Sequence, residues 1–301
     1  MTTDAEALPV QLSQALAAQV TSAQRLIVAI RARQGGVRTG TLWRPDTVLA
    51  SEQVFAKVDE AEILGPAGVT TTGHVAGRDP GTNIVALRLD APIEMQRPGP
   101  GEAKPGGLVL TLAADRDAAL QVRLGIVRAV GPAWHSQAGG RIDRRIWLDL
   151  ELSADEEGGP VVDVAGAMLG MSTAGPGRRG LVIPGETIER VLDPLLRDGR
   201  IDRGWLGAAF YPVALPAALA QQAGQNRGLM VLRVVDGGPA GVAGVVPGDI
   251  LLAVGDVTTA RPRQISRFLG PESIGQQVTL RIVRAGALLA LAAEITARPI
   301  A

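Results

Sequence analysis

Residues 155 to 160 read D-E-E-G-G-P, three consecutive carboxylates ahead of a paired glycine and a proline. Carboxylates can ligate hard cations, but such a site needs several oxygens at set spacing. Three acids in a row read more simply as a solvated loop. Hydrolysis by an activated hydroxyl needs a base with a pKa near neutrality and an acceptor that holds that base. Ser153 and Ser172 flank the acidic run, and His74 and His135 are the only histidines in the chain. Both hydroxyls read as loop or strand groups and both imidazoles as solvated or locally bonded. A displaced Ser–His pair is the one route to endopeptidase chemistry that these side chains leave open.

Around the acidic run, three stretches carry a resemblance. Arg38 to Phe55 reads R-T-G-T-L-W-R-P-D-T-V-L-A-S-E-Q-V-F, Gly77 to Leu89 reads G-R-D-P-G-T-N-I-V-A-L-R-L, and Gly180 to Leu195 reads G-L-V-I-P-G-E-T-I-E-R-V-L-D-P-L. Together with D-E-E-G-G-P, which stands where a chymotrypsin-type enzyme carries G-N-S-G-G-P, they resemble the HtrA/Deg-type serine proteases over roughly residues 23 to 300. The resemblance implies a mostly β chain, with a trypsin-like double β-barrel followed by a PDZ domain.

The resemblance puts Gln53 at the histidine position, Asn83 at the aspartate position and Glu157 at the nucleophile position. An amide is no base at neutral pH, and a carboxylate opposes the oxyanion that backbone N–H groups would stabilise. No catalytic residue is therefore expected, and the chain reads as a pseudoprotease rather than an enzyme. The three side chains can still satisfy one another, with Glu157 accepting from the Gln53 amide and the Gln53 oxygen accepting from Asn83.

A second set of residues offers binding chemistry. Trp205-Leu206-Gly207-Ala208 resembles the carboxylate-binding loop of PDZ domains, and D-G-G-P-A-G-V-A-G-V-V-P-G-D-I-L-L-A-V-G-D, residues 236 to 256, follows the PDZ pattern closely. Backbone N–H groups of that loop would hold a peptide's terminal carboxylate, and the strand Ala208 to Phe210 would take the peptide as an added strand. Ile265 and Leu269, on a helix near Arg261 to Leu269, would line the pocket for the last apolar side chain. Leu206, Ile265 and Leu269 also fit a plain core role.

The elements that must position these residues follow from the apolar pattern. Strand signals run through Arg25–Arg33, Asn83–Leu89, Leu108–Leu112, Leu120–Val130, Ile146–Leu150, Pro160–Val164 and Met168–Thr173, with a closing hairpin at Val278–Ala285 and Leu288–Ile295 turned at Gly286. Leu8, Leu12, Leu16 and Val20 recur at helical spacing. The expected organisation is an N-terminal helix over residues 1–22, packed on its own barrel, a protease-fold domain over 23–198 and a PDZ domain over 204–300. The charged segment Arg197 to Arg203 links the last two.

Composition bounds the rest. The chain has 301 residues, 38 glycines and 20 prolines, as many short strands and tight turns require, and only 3% aromatics. It has no cysteine, so disulfides and thiolate metal sites are excluded, and no cofactor or metal is expected. A formal net charge of zero leaves no footprint for nucleic acid. Residues 1 to 22 carry Asp4 and Glu6, no early basic residue and no continuous apolar run, which points away from a secretory leader or a membrane span and towards the cytoplasm. The resemblance implies protein or peptide C-termini as ligands of the PDZ groove, an active HtrA-like protease as a possible partner, and a homo- or hetero-oligomer. A regulatory or scaffold subunit is the leading reading, beside a holdase-type chaperone.

Overall fold

The computed structural model describes residues 4–32, 36–55, 57–115 and 117–299. Contacts divide the chain into two compact units, one made of the chain up to Trp134 with Ile142–Ile201, the other of His135–Arg141 with the chain from Asp202 onward.

The first unit is built from short β-branched strands that cannot bury both faces alone and therefore close on themselves. Strands β1 (Ile27–Arg31), β2 (Val37–Arg44), β3 (Thr47–Ser51), β4 (Glu60–Leu64), β5 (Thr70–Asp79) and β6 (Ile84–Leu89) form a closed barrel in the order β1-β2-β3-β6-β5-β4. A second closed barrel follows from β7 (Leu108–Ala114), β8 (Leu120–Gly131), β9 (Arg145–Glu151), β10 (Pro160–Asp163), β11 (Met168–Ala174) and β12 (Arg179–Pro184), in the order β9-β12-β11-β10-β7-β8. Val28, Leu42, Ile63 and Leu87 fill the first barrel, and Val109, Leu148, Val161 and Val182 the second. Between the barrels Trp43, Leu49, Leu112, Met171 and Ile183 form a third cluster.

Helix α2 (Gly185–Asp198) closes this unit. Its Ile188, Val191, Leu192 and Leu195 recur on one face and are all buried in the inter-barrel cluster. Gly199, at φ 73°, ends the helix by donating its N–H to the Leu195 carbonyl. At the other end, helix α1 spans Asp4–Ala23, and residues 1–3 of the expected helix lie outside the described residues. Leu16 and Val20 pack on the inter-barrel cluster. Leu8 and Leu12 do not: they are 67% and 48% exposed, so only the second half of the expected apolar stripe meets the barrel.

In the second unit, strands β13 (Ala208–Ala214), β14 (Arg227–Val234), β15 (Ile250–Val254), β16 (Gln277–Arg284) and β17 (Ala287–Glu294) lie in sequence order across one antiparallel sheet. Helices α3 (Ala217–Ala223), α4 (Pro239–Val242) and α5 (Pro262–Phe268) complete it. Leu206, Leu229, Val231, Leu251, Ile265, Leu280 and Ile295 make its core. Asp249 is buried, yet it receives the Val246 N–H and both Nε and Nη2 of Arg284 at 2.7–2.9 Å. These bonds outweigh the burial that would raise its pKa, and the carboxyl is held below the usual aspartate range.

Candidate functional site

The three residues expected to share a site in the first unit do share one. Gln53 follows the end of β3, Asn83 immediately precedes β6, and β3 and β6 are neighbours in register, Ser51 opposite Ile84. Asn83 sits at φ 60°, a left-handed conformation that asparagine tolerates better than most residues. Its Oδ1 accepts the Gln53 backbone N–H at 2.7 Å, which ties the two segments together. Glu157 arrives on the loop before β10.

That loop is pressed between the two barrels, and glycine is what permits it. A Cβ on Gly158, at φ 96°, would stand 2.4 Å from the Thr39 carbonyl oxygen, and one on Gly159 would stand 1.9 Å from that of Leu112. Thr41 Oγ1 donates to the Gly158 carbonyl at 2.7 Å.

One carboxylate oxygen organises the site. Glu157 Oε2 accepts from Gln53 Nε2 at 2.5 Å, from Ser51 Oγ at 2.9 Å and from Thr173 Oγ1 at 3.0 Å. Asn83 Nδ2 in turn donates to Ser51 Oγ at 2.9 Å and to Thr173 Oγ1 at 2.7 Å. The direct bond from Asn83 to the Gln53 side-chain oxygen is therefore corrected: two hydroxyls stand between the amide and the carboxylate. Both hydroxyls escaped the sequence reading, although Ser51 lies only two residues before Gln53. The Ser51, Gln53 and Thr173 groups that donate to this buried carboxylate are all neutral.

The solvated acidic loop is also corrected. Glu156 and Glu157 are only 5% and 4% exposed. Asp155 pairs with Arg38 Nη1 at 2.7 Å, and its carbonyl accepts from Thr39 Oγ1 at 2.6 Å. Glu156 pairs with Arg123 Nε and accepts the Ser153 N–H at 2.7 Å. Burial pushes the Glu156 carboxyl up, but the bonds from Arg123 and Ser153 outweigh it and hold the group below the usual glutamate range. Each of the three acids thus has a different structural partner, and among the described residues no group of three or more such ligands is placed to hold a metal ion.

The remaining candidates lie apart from Glu157. Ser172 is fully buried, donating to the Glu156 carbonyl at 2.8 Å and accepting the Gly159 N–H at 3.1 Å. His74 stands on β5 and faces Asp90 at 3.1 Å, both side chains more than half exposed. His135 belongs to the second unit, where burial and then the charges of Arg267, Arg141 and Arg203 lower its pKa against the pull of Glu272. Neither imidazole is among the bonding partners of Gln53, Asn83 or Glu157.

In the second unit, Trp205 to Ala208 lead into β13, an edge strand of the sheet. The Leu206 carbonyl accepts from Ala240 N at 2.8 Å and the Gly207 carbonyl from Val235 N at 2.7 Å. In a trans peptide the N–H opposes the C=O, so the Gly207 and Ala208 N–H groups point the other way, out of the fold. The Trp205 ring closes over the loop, 3.2 Å from where a Gly207 Cβ would stand. Ala208, Phe210 and Leu269 pack at the margin of the core and keep partial exposure, whereas Leu206 and Ile265 are buried core residues at 2% and 4%. Of the expected groove residues, those two take the plain core role.

The chain matches the family described as trypsin-like peptidase domain over residues 38–171 and the PDZ domain family over residues 230–284. A probable periplasmic serine endoprotease, DegP-like, of Brucella suis is 26% identical across 84% of this chain and 50% of its own length. Protease Do-like 1, chloroplastic, of Arabidopsis thaliana is 25% identical across 83% of this chain and 61% of its own. The chain spans about half the length of the first of these. Among solved structures, the HtrA-type protease AlgW with a decapeptide aligns at a TM-score of 0.73 and 22% identity, covering 95% of this chain and 99% of that one. A serine endoprotease from Yersinia pestis aligns at 0.71 and 20%, covering 96% and 98%.

Two expectations are overturned by these relatives. The reading of the chain as a non-enzyme does not stand against a matched peptidase domain and relatives named serine endoproteases. The cytoplasmic assignment does not stand against Brucella, Hahella and Rickettsia relatives named periplasmic. It rested on the acidic N-terminus, which is a helix whose Leu16 and Val20 pack on the fold.

Proposed function

Because the chain is an HtrA/Deg-type protease homologue, a trypsin-like peptidase domain with a PDZ domain behind it, we propose that it works as a peptide-binding subunit of that family. Its PDZ groove takes the free C-terminus of a protein or peptide. The observation that carries this reading is the Leu206–Ala208 loop. Its carbonyls are tied inward to Ala240 and Val235, so two successive N–H groups face out at the head of an edge strand. Such a pair suits a carboxylate, and the edge strand suits the extended segment that precedes it. Ala208, Phe210 and Leu269 supply apolar surface beside it.

The test compares one peptide with a free and with an amidated apolar C-terminus on the full chain, by fluorescence polarisation or calorimetry. Hydrogen bonds to a charged group contribute about 1.5–3 kcal/mol, so amidation should weaken binding by about tenfold or more. Equal affinity for the two peptides would remove terminal recognition.

A further inference from the structure

The network around Glu157 uses only one of its two carboxylate oxygens. Oε2 takes the Ser51, Gln53 and Thr173 donors, whereas Oε1 receives no hydrogen bond from any described residue. Oε1 is not sealed off: it is absent from the buried polar atoms that lack a partner, and Gln53, which lies against the carboxylate, is itself exposed. The groups around it are already committed. The Ser51 and Thr173 hydroxyls give their protons to Oε2 and accept from Asn83 Nδ2 at 2.9 and 2.7 Å. Gln53 Nε2 also reaches Thr173 Oγ1 at 3.2 Å and the Ala174 carbonyl at 3.1 Å. Oε1 is therefore held in place by a closed set of bonds while remaining open to a further donor.

The charge on this carboxylate is also unbalanced. Among the described residues no cation pairs with Glu157, and the two that serve its loop are engaged elsewhere, Arg38 by Asp155 at 2.7 Å and Arg123 by Glu156. Neutral donors solvate a carboxylate without cancelling it, and a buried charge is normally met by an opposite one. The single open oxygen decides which cation suits it. A guanidinium binds a carboxylate best through two parallel hydrogen bonds, one to each oxygen. Oε2 already accepts three donors and has no lone pair left for a fourth. A primary ammonium is a compact point charge that needs one oxygen, and a lysine stem can carry it past the surface amide of Gln53.

We propose that this site is a receptor for a primary ammonium group of a peptide, presented by a lysine side chain or by the chain's own N-terminus. Glu157 Oε1 is its counter-ion, and Ser51, Gln53 and Thr173 fix the carboxylate that receives it. The contact lies wholly in the first unit and does not depend on C-terminal recognition in the second.

The experiment uses the full chain and short Ala/Ser peptides, all amidated at the C-terminus so that the groove of the second unit is not engaged. Three are acetylated and carry a central lysine, norleucine or arginine, and a fourth has a free N-terminus and none of these. Calorimetry reads affinity, and the Gln53 side-chain amide signal in NMR reports where the ligand sits. On the wild type the lysine or the free-amine peptide should bind about tenfold or more tighter than the norleucine peptide, as one hydrogen bond between charged groups would give, and should shift the Gln53 signal. Whichever of the two gains identifies the source of the ammonium. Arginine should gain less than lysine. Glu157→Gln, which removes the charge and keeps an acceptor oxygen, should abolish the preference in a protein whose melting curve shows it folded. Equal affinity of the amine and norleucine peptides on the wild type, or no binding by any of them at millimolar concentration, would overturn the inference without any variant. A preference that survives Glu157→Gln, or an arginine peptide tighter than both amines, would overturn it too.

Discussion

Gln53 donates its side-chain amide to the Glu157 carboxylate at 2.5 Å, joining residues 104 positions apart. The same oxygen takes the Ser51 and Thr173 hydroxyls, so one atom holds β3 of the first barrel to β11 of the second. Glu157→Ala should leave the buried Ser51 and Thr173 hydroxyls without this acceptor, while the exposed Gln53 amide keeps the Ala174 carbonyl at 3.1 Å. The expected cost is about 1–3 kcal/mol, read as a lowered melting temperature of the full chain. Glu157→Gln retains an acceptor oxygen and should lose less. A melting temperature unchanged by Glu157→Ala would mean that the carboxylate does not bridge the barrels.

Acidification should loosen the same loop. The folded-state pKa of Glu156 lies below its unfolded value, so its contribution is present above the ordinary glutamate pKa and is lost as pH falls through the depressed folded value. Arg123→Met removes the guanidinium that opposes burial, and the Glu156 pKa should rise. Acid-induced loss of stability should then begin at higher pH in the variant than in the wild type, as a series of melting curves across acidic pH would register. Coincident curves would show that the Arg123 contact does not set this titration.

The paired glycines give a steric prediction. Gly159→Ala places a methyl against the Leu112 carbonyl, which is backbone and cannot step aside as a side-chain tip would. Overpacking of this kind typically costs about 1–3 kcal/mol, and the loop carrying Asp155, Glu156 and Glu157 must shift to relieve it. Gly177→Ala is the control for steric clash, since a Cβ there meets nothing within 4 Å, although its φ of 68° retains some backbone strain. Equal stability of both variants would contradict the close approach.

How far the sequence displayed this site follows from how local each signal is. Gln53, Asn83 and Glu157 were legible because each sits in a short stretch whose pattern of strand and turn residues marks its place. Ser51 and Thr173 were not, since a hydroxyl inside an apolar strand looks the same whether it faces a barrel core or a buried carboxylate. The acidic loop misled for a related reason. Arg38 lies 117 residues from Asp155 and Arg123 lies 33 from Glu156, and only closing the barrels brings them together. In the second unit the strand pattern and the Gly286 turn were visible in sequence, with Ala285 and Gly286 both at positive φ as a two-residue hairpin turn requires. The inward or outward choice for Leu206, Ile265 and Leu269 depends on side-chain direction within one helical turn or loop, which residue type alone does not specify.

That choice yields the last prediction. Ile265 and Leu269 are one helical turn apart, and the Leu269 N–H bonds to the Ile265 carbonyl at 2.9 Å, yet Ile265 is 4% exposed in the core while Leu269 packs only at its margin. Ile265→Ala should act through stability, at about 2–5 kcal/mol for a buried large-to-small change. Leu269→Ala removes partly exposed apolar surface that the proposed groove would offer to the terminal side chain, so it should weaken binding of a free apolar C-terminus by several-fold while moving the melting temperature far less. Measuring both quantities on both variants separates the roles, because a core residue moves stability first and a groove residue moves affinity first. If Leu269→Ala left peptide affinity unchanged, the side chain that reads the terminal residue would have to be sought on β13, with Phe210 the next to test.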